Sequence, residues 1–450
     1  MNIGIIGAGI AGMSAAYDLA RTGHRVTIYE RAEQVGGLAS GFRDPRWEWP
    51  LERFYHHVFE GDTAIRTLTH EIGYGEKLFF RKGVTAHFWN GTFSPIDGPV
   101  AVLRFPGVSF LDRVRFGAAC FYLKYVTKNW HRLETTTATA WSERWMGKPA
   151  YQTIMAPLLK NKFGPYADEV NMAWLWARLR ARSFKLGYYA GGFQGFAEAL
   201  LAAIQQLGVA VHLATPVHRL SPPDEGEAAP DGRREGWTVL TEHGAHHADR
   251  VIVTGSPGLL ARLAPHLPPD YLGNLAALKS LGAIALTIAL KHRLTEGFYW
   301  MQGMRREEFP FLALVEHTNF IEPEHYGGDH LVYCGDYLPP DHEYFRLSQE
   351  ALLERFVPSL ARVNPNFRPD WIRDAWLHRE PYAQPIVGLN HSQSIPSLVT
   401  PLPHLYFASM SQVYPWDRGT NYAVELGQRV AAAVFPEHLT SSPKGGILSL

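Results

Sequence analysis

Asn2-Ile3-Gly4-Ile5-Ile6-Gly7-Ala8-Gly9-Ile10-Ala11-Gly12-Met13 is the stretch whose reading decides the fold. A short β-branched run enters a G-x-G-x-x-G turn, and Met13 to Arg21 reads as a helix that Gly23 stops. Val26-Thr27-Ile28-Tyr29 gives a second strand ending on Glu30. Strand, glycine turn, helix, strand and terminal acid together make a dinucleotide-binding unit. Gly7 permits the tight turn, Gly9 lets backbone approach a pyrophosphate, and Gly12 lets helix and strand pack closely. Ile10 and Ala11 open the helix, whose first N–H groups lack intrahelical partners and whose dipole favours phosphate. Glu30 can accept from adenosine ribose hydroxyls, and its charge repels a 2′-phosphate.

The residues beyond Glu30 specify which dinucleotide. Arg31-Ala32-Glu33-Gln34-Val35 leads to Gly36-Gly37-Leu38. An acid ending strand two, followed shortly by a glycine pair, resembles the extended FAD fingerprint of the flavin amine oxidase superfamily. That group includes protoporphyrinogen oxidases, phytoene desaturases and UDP-galactopyranose mutases. The resemblance implies FAD, held by the first glycine turn, Glu30, Arg31, Gly36, Gly37 and Leu38; most relatives carry Arg where Leu38 stands. It further implies that Val217 lies against the adenine, and that Gly419, Thr420 and Asn421 bring a helix N-terminus to the flavin's N1/O2 edge. Glu380 to Pro385 resembles a Gln-Pro turn that approaches the flavin. Relatives have an acid after the last cofactor-domain strand; here Ala408-Ser409 stands there, with Asp417 as the candidate replacement.

The expected fold is therefore α/β: a Rossmann-like FAD-binding domain with an inserted mixed α+β substrate domain. The cofactor domain should draw on residues 1–75, 188–260 and 395–436, and the substrate domain on 76–187 and 261–394. Phe79 to Phe93 reads as a hairpin turning at Asn90-Gly91. Stretches near 282–292, 310–317, 331–337 and 371–380 read as a mostly antiparallel sheet roofing the substrate site. Ser221 to Gly236 reads as an exposed loop and 437–450 as a disordered tail.

Lys plus Arg and Asp plus Glu number 43 each, so no global field points to nucleic acid. Cys120 and Cys334 stand alone in apolar surroundings, without a C-x-x-C pair or a zinc ligand set, which fits a reducing, cytoplasmic compartment. No apolar run reaches the ~18 residues of a spanning helix. Val100 to Lys128 mixes apolar residues with Arg104, Arg113, Arg115, Lys124 and Lys128. The simpler expectation there is a helical lid whose apolar face covers the substrate cavity; the alternative is peripheral contact with an anionic bilayer.

His56 and His57, between aromatics, are the candidate catalytic residues: histidine exchanges protons near neutral pH, and the segment after Gly37 crosses beside the flavin in relatives. Strand alternation would send the two rings to opposite faces, so only one should meet the flavin. Asp62 is the expected cap of the next helix. Arg178, Arg180 and Arg182 read as alternating around one helix, not as a single anion clamp. The expected activity is flavin-dependent hydride abstraction, an oxidation or desaturation, from a small molecule. Alternatives are a reduced-flavin nucleotide-sugar mutase, with Arg53, Arg178 and Arg418 as its diphosphate clamp, and a non-catalytic flavoprotein.

Overall fold

A computed structural model describes residues 1–223 and 236–435. The expected loop from Ser221 to Gly236, apart from its ends, and the expected tail lie outside the described residues. Five short strands form one parallel sheet in the order Ala210–His212, Arg25–Tyr29, Asn2–Ile6, Arg250–Thr254, Leu405–Ala408. The three central strands read as apolar runs because both faces are covered, as parallel sheets require. The helix Ile10–Arg21 covers one face, and Thr420–Val434 packs on that helix. The crossing is close at Gly427, where an added Cβ would lie 2.4 Å from the Ala11 carbonyl oxygen. A small antiparallel sheet of Val217–Ser221, Trp237–Thr241 and Gly244–Ala248 flanks this layer.

The second sheet has seven strands, in the order Ile372–Pro385, Ser280–Leu290, His330–Leu338, Ala313–Glu316, Trp300–Gln302, Thr85–Trp89, Thr92–Pro95. Its pairings are antiparallel except that between Trp300–Gln302 and Thr85–His87. The hairpin does turn at Asn90-Gly91, both at positive φ. It runs over 85–95, however, while Leu78–Lys82 pairs with Lys185–Tyr189. Strand Ser280–Leu290 shows why this sheet can roof a cavity. Ile284, Leu286, Ile288 and Leu290 fill the core behind the sheet, whereas Ala285 and Ala289 join the core shared with the cofactor layer. Small side chains on that second face leave space, and Ala283 and Ala285 line a cavity. The expected Gln-Pro turn is instead the end of the long strand Ile372–Pro385.

Helices from Pro99 to Ala181 form a separate block around its own core, including Phe105, Phe116, Leu123, Phe163, Trp174 and Trp176. Asn171 caps Met172–Ala181, its side chain accepting from the Trp174 N–H at 3.1 Å.

Candidate active site

Two glycine loops meet at the carboxyl end of the parallel sheet. Gly36 bridges to Gly9 and donates its N–H to the Ala8 carbonyl at 2.9 Å. A Cβ on Gly37 would lie 3.1 Å from the Gly9 Cα, so the loops touch backbone to backbone. A Cβ on Gly12 would sit 2.1 Å from the Gly7 carbonyl oxygen, while one on Gly9 would meet nothing nearer than 3.9 Å. Gly12 is thus required by packing; the open side of Gly9 is free for a ligand. Glu30 holds the turn from behind, accepting from Ala8 N–H at 2.7 Å and Ala32 N–H at 2.9 Å. A carboxylate has about four lone-pair sites, so acceptor capacity for hydroxyls remains. Arg31 lies mostly exposed, 3.8 Å from Glu380. Thr215, two residues before Val217, donates to the Glu30 carbonyl at 2.7 Å, which brings that strand alongside the acid.

From Leu38 a narrow cavity runs past Ala283 and Ala285 to Tyr55, His56, Tyr337 and Arg418. The same four residues line a larger cavity of about 1100 Å³, including its open mouth, that reaches Gly419, Thr420 and Asn421. A continuous trough therefore joins the glycine loops to the start of the helix Thr420–Val434. The buried Thr420 hydroxyl there has no hydrogen-bond partner. Asn421 spends its side chain internally, accepting from Ile65 N–H at 3.1 Å and donating to Glu425 at 2.8 Å, so only its backbone N–H faces outward at the helix start. An elongated dinucleotide fits this arrangement: bare backbone at one end, unpartnered donors at the other.

The larger cavity is built from charged side chains that distant segments contribute. Asp417 accepts from Lys162 Nζ at 2.7 Å, Trp174 Nε1 at 3.1 Å and Arg178 Nη1 at 3.2 Å. Burial would raise its pKa, yet Lys162, Arg178 and Arg418 hold it well below the carboxylate range. Lys162 in turn is drawn down to about 7 by burial, against the pull of Asp417 and with the push of Arg178 and Arg418. Arg182 donates to Thr85 Oγ1 at 2.6 Å and reaches Asp97 at 3.5 Å. Arg418 donates to Gln384 Oε1 at 3.0 Å and to the Tyr337 hydroxyl. Four cations, Lys162, Arg178, Arg182 and Arg418, thus line the cavity against two carboxylates, Asp62 and Asp417.

Several expectations change here. His56 and His57 both line the larger cavity, because residues 53–57 are irregular backbone and do not alternate as a strand would. His56 Nδ1 sits 2.5 Å from the Phe54 carbonyl; His57 Nδ1 is buried without a partner. Burial lowers His56 to about 4, with Arg418 adding to it, and lowers His57 to about 3, with Arg182, His56, Arg178 and Lys162 adding to it. Asp62 occupies the N-cap position of the helix Thr63–Glu71 as expected, but its side chain makes no capping hydrogen bond; the carboxylate accepts from Phe59 N–H at 2.8 Å instead. Arg178 and Arg182 share the cavity wall, as their four-residue spacing allows, while Arg180 turns away to the Lys124 carbonyl and the Trp176 ring. Arg53 is absent from the lining, and Asp417 is committed to cations instead of the pyrophosphate end. No residue of 100–128 lines either cavity, so that segment is not a lid over them. No motif marks Lys162, whereas the i, i+4 spacing of Arg178 and Arg182 is a signal that the alternating reading of the three arginines passes over.

A parallel sheet with paired glycine loops at its carboxyl end defines a Rossmann-like dinucleotide-binding protein. The chain belongs to the family described as flavin containing amine oxidoreductase, whose profile matches residues 10–435, and FAD is the cofactor. Among curated relatives, a Mycobacterium tuberculosis protein described as a flavin-containing monoamine oxidase, AofH, is 24% identical over 290 residues, 60% of this chain and 61% of that one. The chain thus spans 61% of that relative's length. The L-amino-acid oxidase of Bungarus fasciatus is 35% identical over 85 residues, 19% of this chain and 16% of that one. A solved structure described as a protoporphyrinogen oxidase from an Exiguobacterium species superposes with TM-score 0.74 at 16% identity, covering 97% of this chain and 99% of that one. Reduced UDP-galactopyranose mutase superposes with TM-score 0.72 at 14% identity, covering 98% and 96%. At such identities these likenesses establish the fold.

Proposed function

We propose that the chain oxidises a small molecule carrying an anionic group, by abstracting a hydride within the larger cavity. When bound, FAD supplies the two-electron oxidant. Its proposed contacts are Gly7, Gly9, Ile10, Ala11 and Gly12 at the pyrophosphate, Glu30 and Arg31 at the ribose, and Val217 at the adenine. Gly36, Gly37 and Leu38 continue the trough, and Gly419, Thr420 and Asn421 offer N–H groups and the Thr420 hydroxyl at the far end. The observation that carries the substrate reading is that three arginines, Arg178, Arg182 and Arg418, outnumber the two lining carboxylates, Asp62 and Asp417, even with Lys162 neutral. A second positive charge about 5 Å from one of them, at an effective dielectric of about 20, meets roughly 3 kcal/mol of repulsion, and an anion gains as much. A protonated amine is therefore the disfavoured ligand. Arg178 and Arg182 grip the anion from one wall and Arg418 from the other. Lys162, drawn down to about 7, is the group best matched to take up a substrate proton at Nζ near neutral pH. His56 and His57, held neutral, orient the substrate or flavin edge by hydrogen bonding.

Titrating the oxidised holoenzyme with aromatic carboxylates and with the matching amines, followed by flavin absorbance, tests this. Carboxylates should perturb the spectrum saturably, and Arg178→Met should weaken them about tenfold or more. Tighter binding and turnover of the amines would refute the reading. A mutase-type alternative draws on the same cations, since Arg178 and Arg418 could hold a diphosphate; it requires reduced flavin and no net consumption of electrons.

A further inference from the structure

The segment 99–128 is apolar on two opposite faces. Its helices are Pro99–Arg104 and Phe110–Phe121, the latter continuing through one wider turn, Tyr122–Val126. Phe116, Ala119 and Leu123 enter the helical core. At about 100° per residue, positions 110, 111, 114, 118, 121 and 122 fall in an arc of roughly 120° on the other side. All of these are exposed, Leu111 at 78%, Phe110 at 62% and Phe121 at 60%. The stripe is not isolated. Tyr125 packs tilted against Phe121 with centroids 5.1 Å apart, Lys124 lies over both Tyr125 and Phe184, and Phe184 abuts Gly98 at the start of the first helix. Val100 and Leu103 on that helix are exposed too, and Leu103 is tied across by Arg113, which donates to its carbonyl at 2.7 Å. A contiguous exposed apolar stripe of this kind marks an interaction site.

Charge selects the occupant. Residues 99–128 hold five cations, Arg104, Arg113, Arg115, Lys124 and Lys128, against one acid, Asp112, which Ser109 engages at 2.6 Å. Among the described residues none of the five is in an ion pair with a carboxylate. A two-fold contact with a second copy would set these cations against their own images. An anionic lipid surface meets both features at once, taking the apolar side chains into the headgroup layer and the cations at its phosphates. We propose that this face docks on an anionic bilayer. Docking also sets the active-site wall near the lipid, since Arg182, which lines the cavity, receives Lys124 Nζ on its carbonyl at 2.6 Å.

Co-sedimentation of the FAD-loaded protein with vesicles tests this, using phosphatidylcholine alone and phosphatidylcholine mixed with phosphatidylglycerol. Binding should be confined largely to the mixed vesicles and should fall with salt, each cation near the surface being worth about fivefold in affinity. Leu111→Asp and Phe121→Asp should each weaken it about tenfold or more while leaving the melting temperature and flavin spectrum unchanged, because both side chains already face water. Arg113→Glu should remove more of the anionic preference than of any residual binding. Absence of binding to mixed vesicles, or unchanged binding by both aspartate variants, would overturn the proposal. A concentration-dependent dimer that Leu111→Asp dissociates would also overturn it, assigning the face to a second copy.

Discussion

The glycine cradle and the cationic cavity sit at two ends of one trough, yet they are made of different material. The cradle is backbone, drawn from residues 7–12 and 36–38, and what matters there is which side chains are missing. The cavity is side chain, drawn from Lys162, Arg178, Arg182, Asp417 and Arg418, and what matters is which charges are present and how they are paired. A backbone site is damaged by adding a carbon. A charged site is damaged by leaving a partner alone. The contrast separates binding the cofactor from selecting the substrate, and each half can be broken without the other.

The largest effect should come from the cradle. Gly12→Ala places a Cβ 2.1 Å from the Gly7 oxygen and should yield protein with essentially no bound FAD and a lowered melting temperature. Gly9→Val, at the open side, should leave the apoprotein folded but weaken FAD about a hundredfold or more, read by flavin fluorescence after dialysis. A Gly9→Val protein as yellow as the parent would dissociate the loop from the cofactor. Next comes the cavity. Asp417→Asn strands Lys162 and Arg178 and should cost about 3 kcal/mol in urea unfolding of the holoprotein, with Lys162→Met in the same chain recovering part of it. FAD stoichiometry should stay unchanged in both.

A smaller effect is pH-dependent. His56 and His57 have folded-state pKa values of about 4 and about 3, below the ordinary 6.5, so the unfolded chain binds more protons in that interval. Their contribution is complete above pH 6.5 and is lost as pH falls from 6.5 toward 4 and 3. His57→Gln should flatten that loss by about 3 kcal/mol between neutral pH and pH 4, measured by chemical denaturation. The smallest effect is expected at Thr420. Thr420→Val removes an unpartnered hydroxyl, so apoprotein stability should be unchanged or slightly raised, while FAD affinity falls by about 1 kcal/mol. Equal affinity would mean that the hydroxyl meets nothing in the holoprotein.

The same contrast explains what the sequence made legible. The cradle is local: strand, turn, helix, strand and acid follow one another within about thirty residues, and each glycine's reason is a backbone one. The parallel sheet, the second sheet and the helix after Gly419 follow from such patterns. The cavity is assembled across the chain, and its pairings cannot be read from spacing; Asp417 gathers Lys162 from the helix Ala156–Phe163 and Trp174 and Arg178 from Met172–Ala181. Residues 53–57 depart from the expected alternation for a related reason. Their aromatic, apolar pattern suits a strand, but the irregular path between Glu52 and Val58 turns both histidines into the cavity. The outer face of 110–122 shows the opposite failure: its apolar stripe was visible, but periodicity does not say whether such a stripe meets protein or solvent.

Gly427 has a bearing on how the molecule comes into being. It lets the helix Thr420–Val434 settle against Ala11 and Ser14, on the very helix that follows the first glycine turn. The sheet beside it is finished only by Leu405–Ala408, which pairs with Arg250–Thr254. Translation delivers the first cradle strand some four hundred residues before the helix that packs over its unit. Contacts of such sequence separation close late. Throughout that interval the nascent chain carries an exposed apolar sheet edge and a half-built nucleotide pocket, the kind of species that holdase chaperones shelter. Truncations that spare the fingerprint but remove 405–435 should therefore accumulate as aggregate, not as apoprotein, read by the soluble fraction after expression.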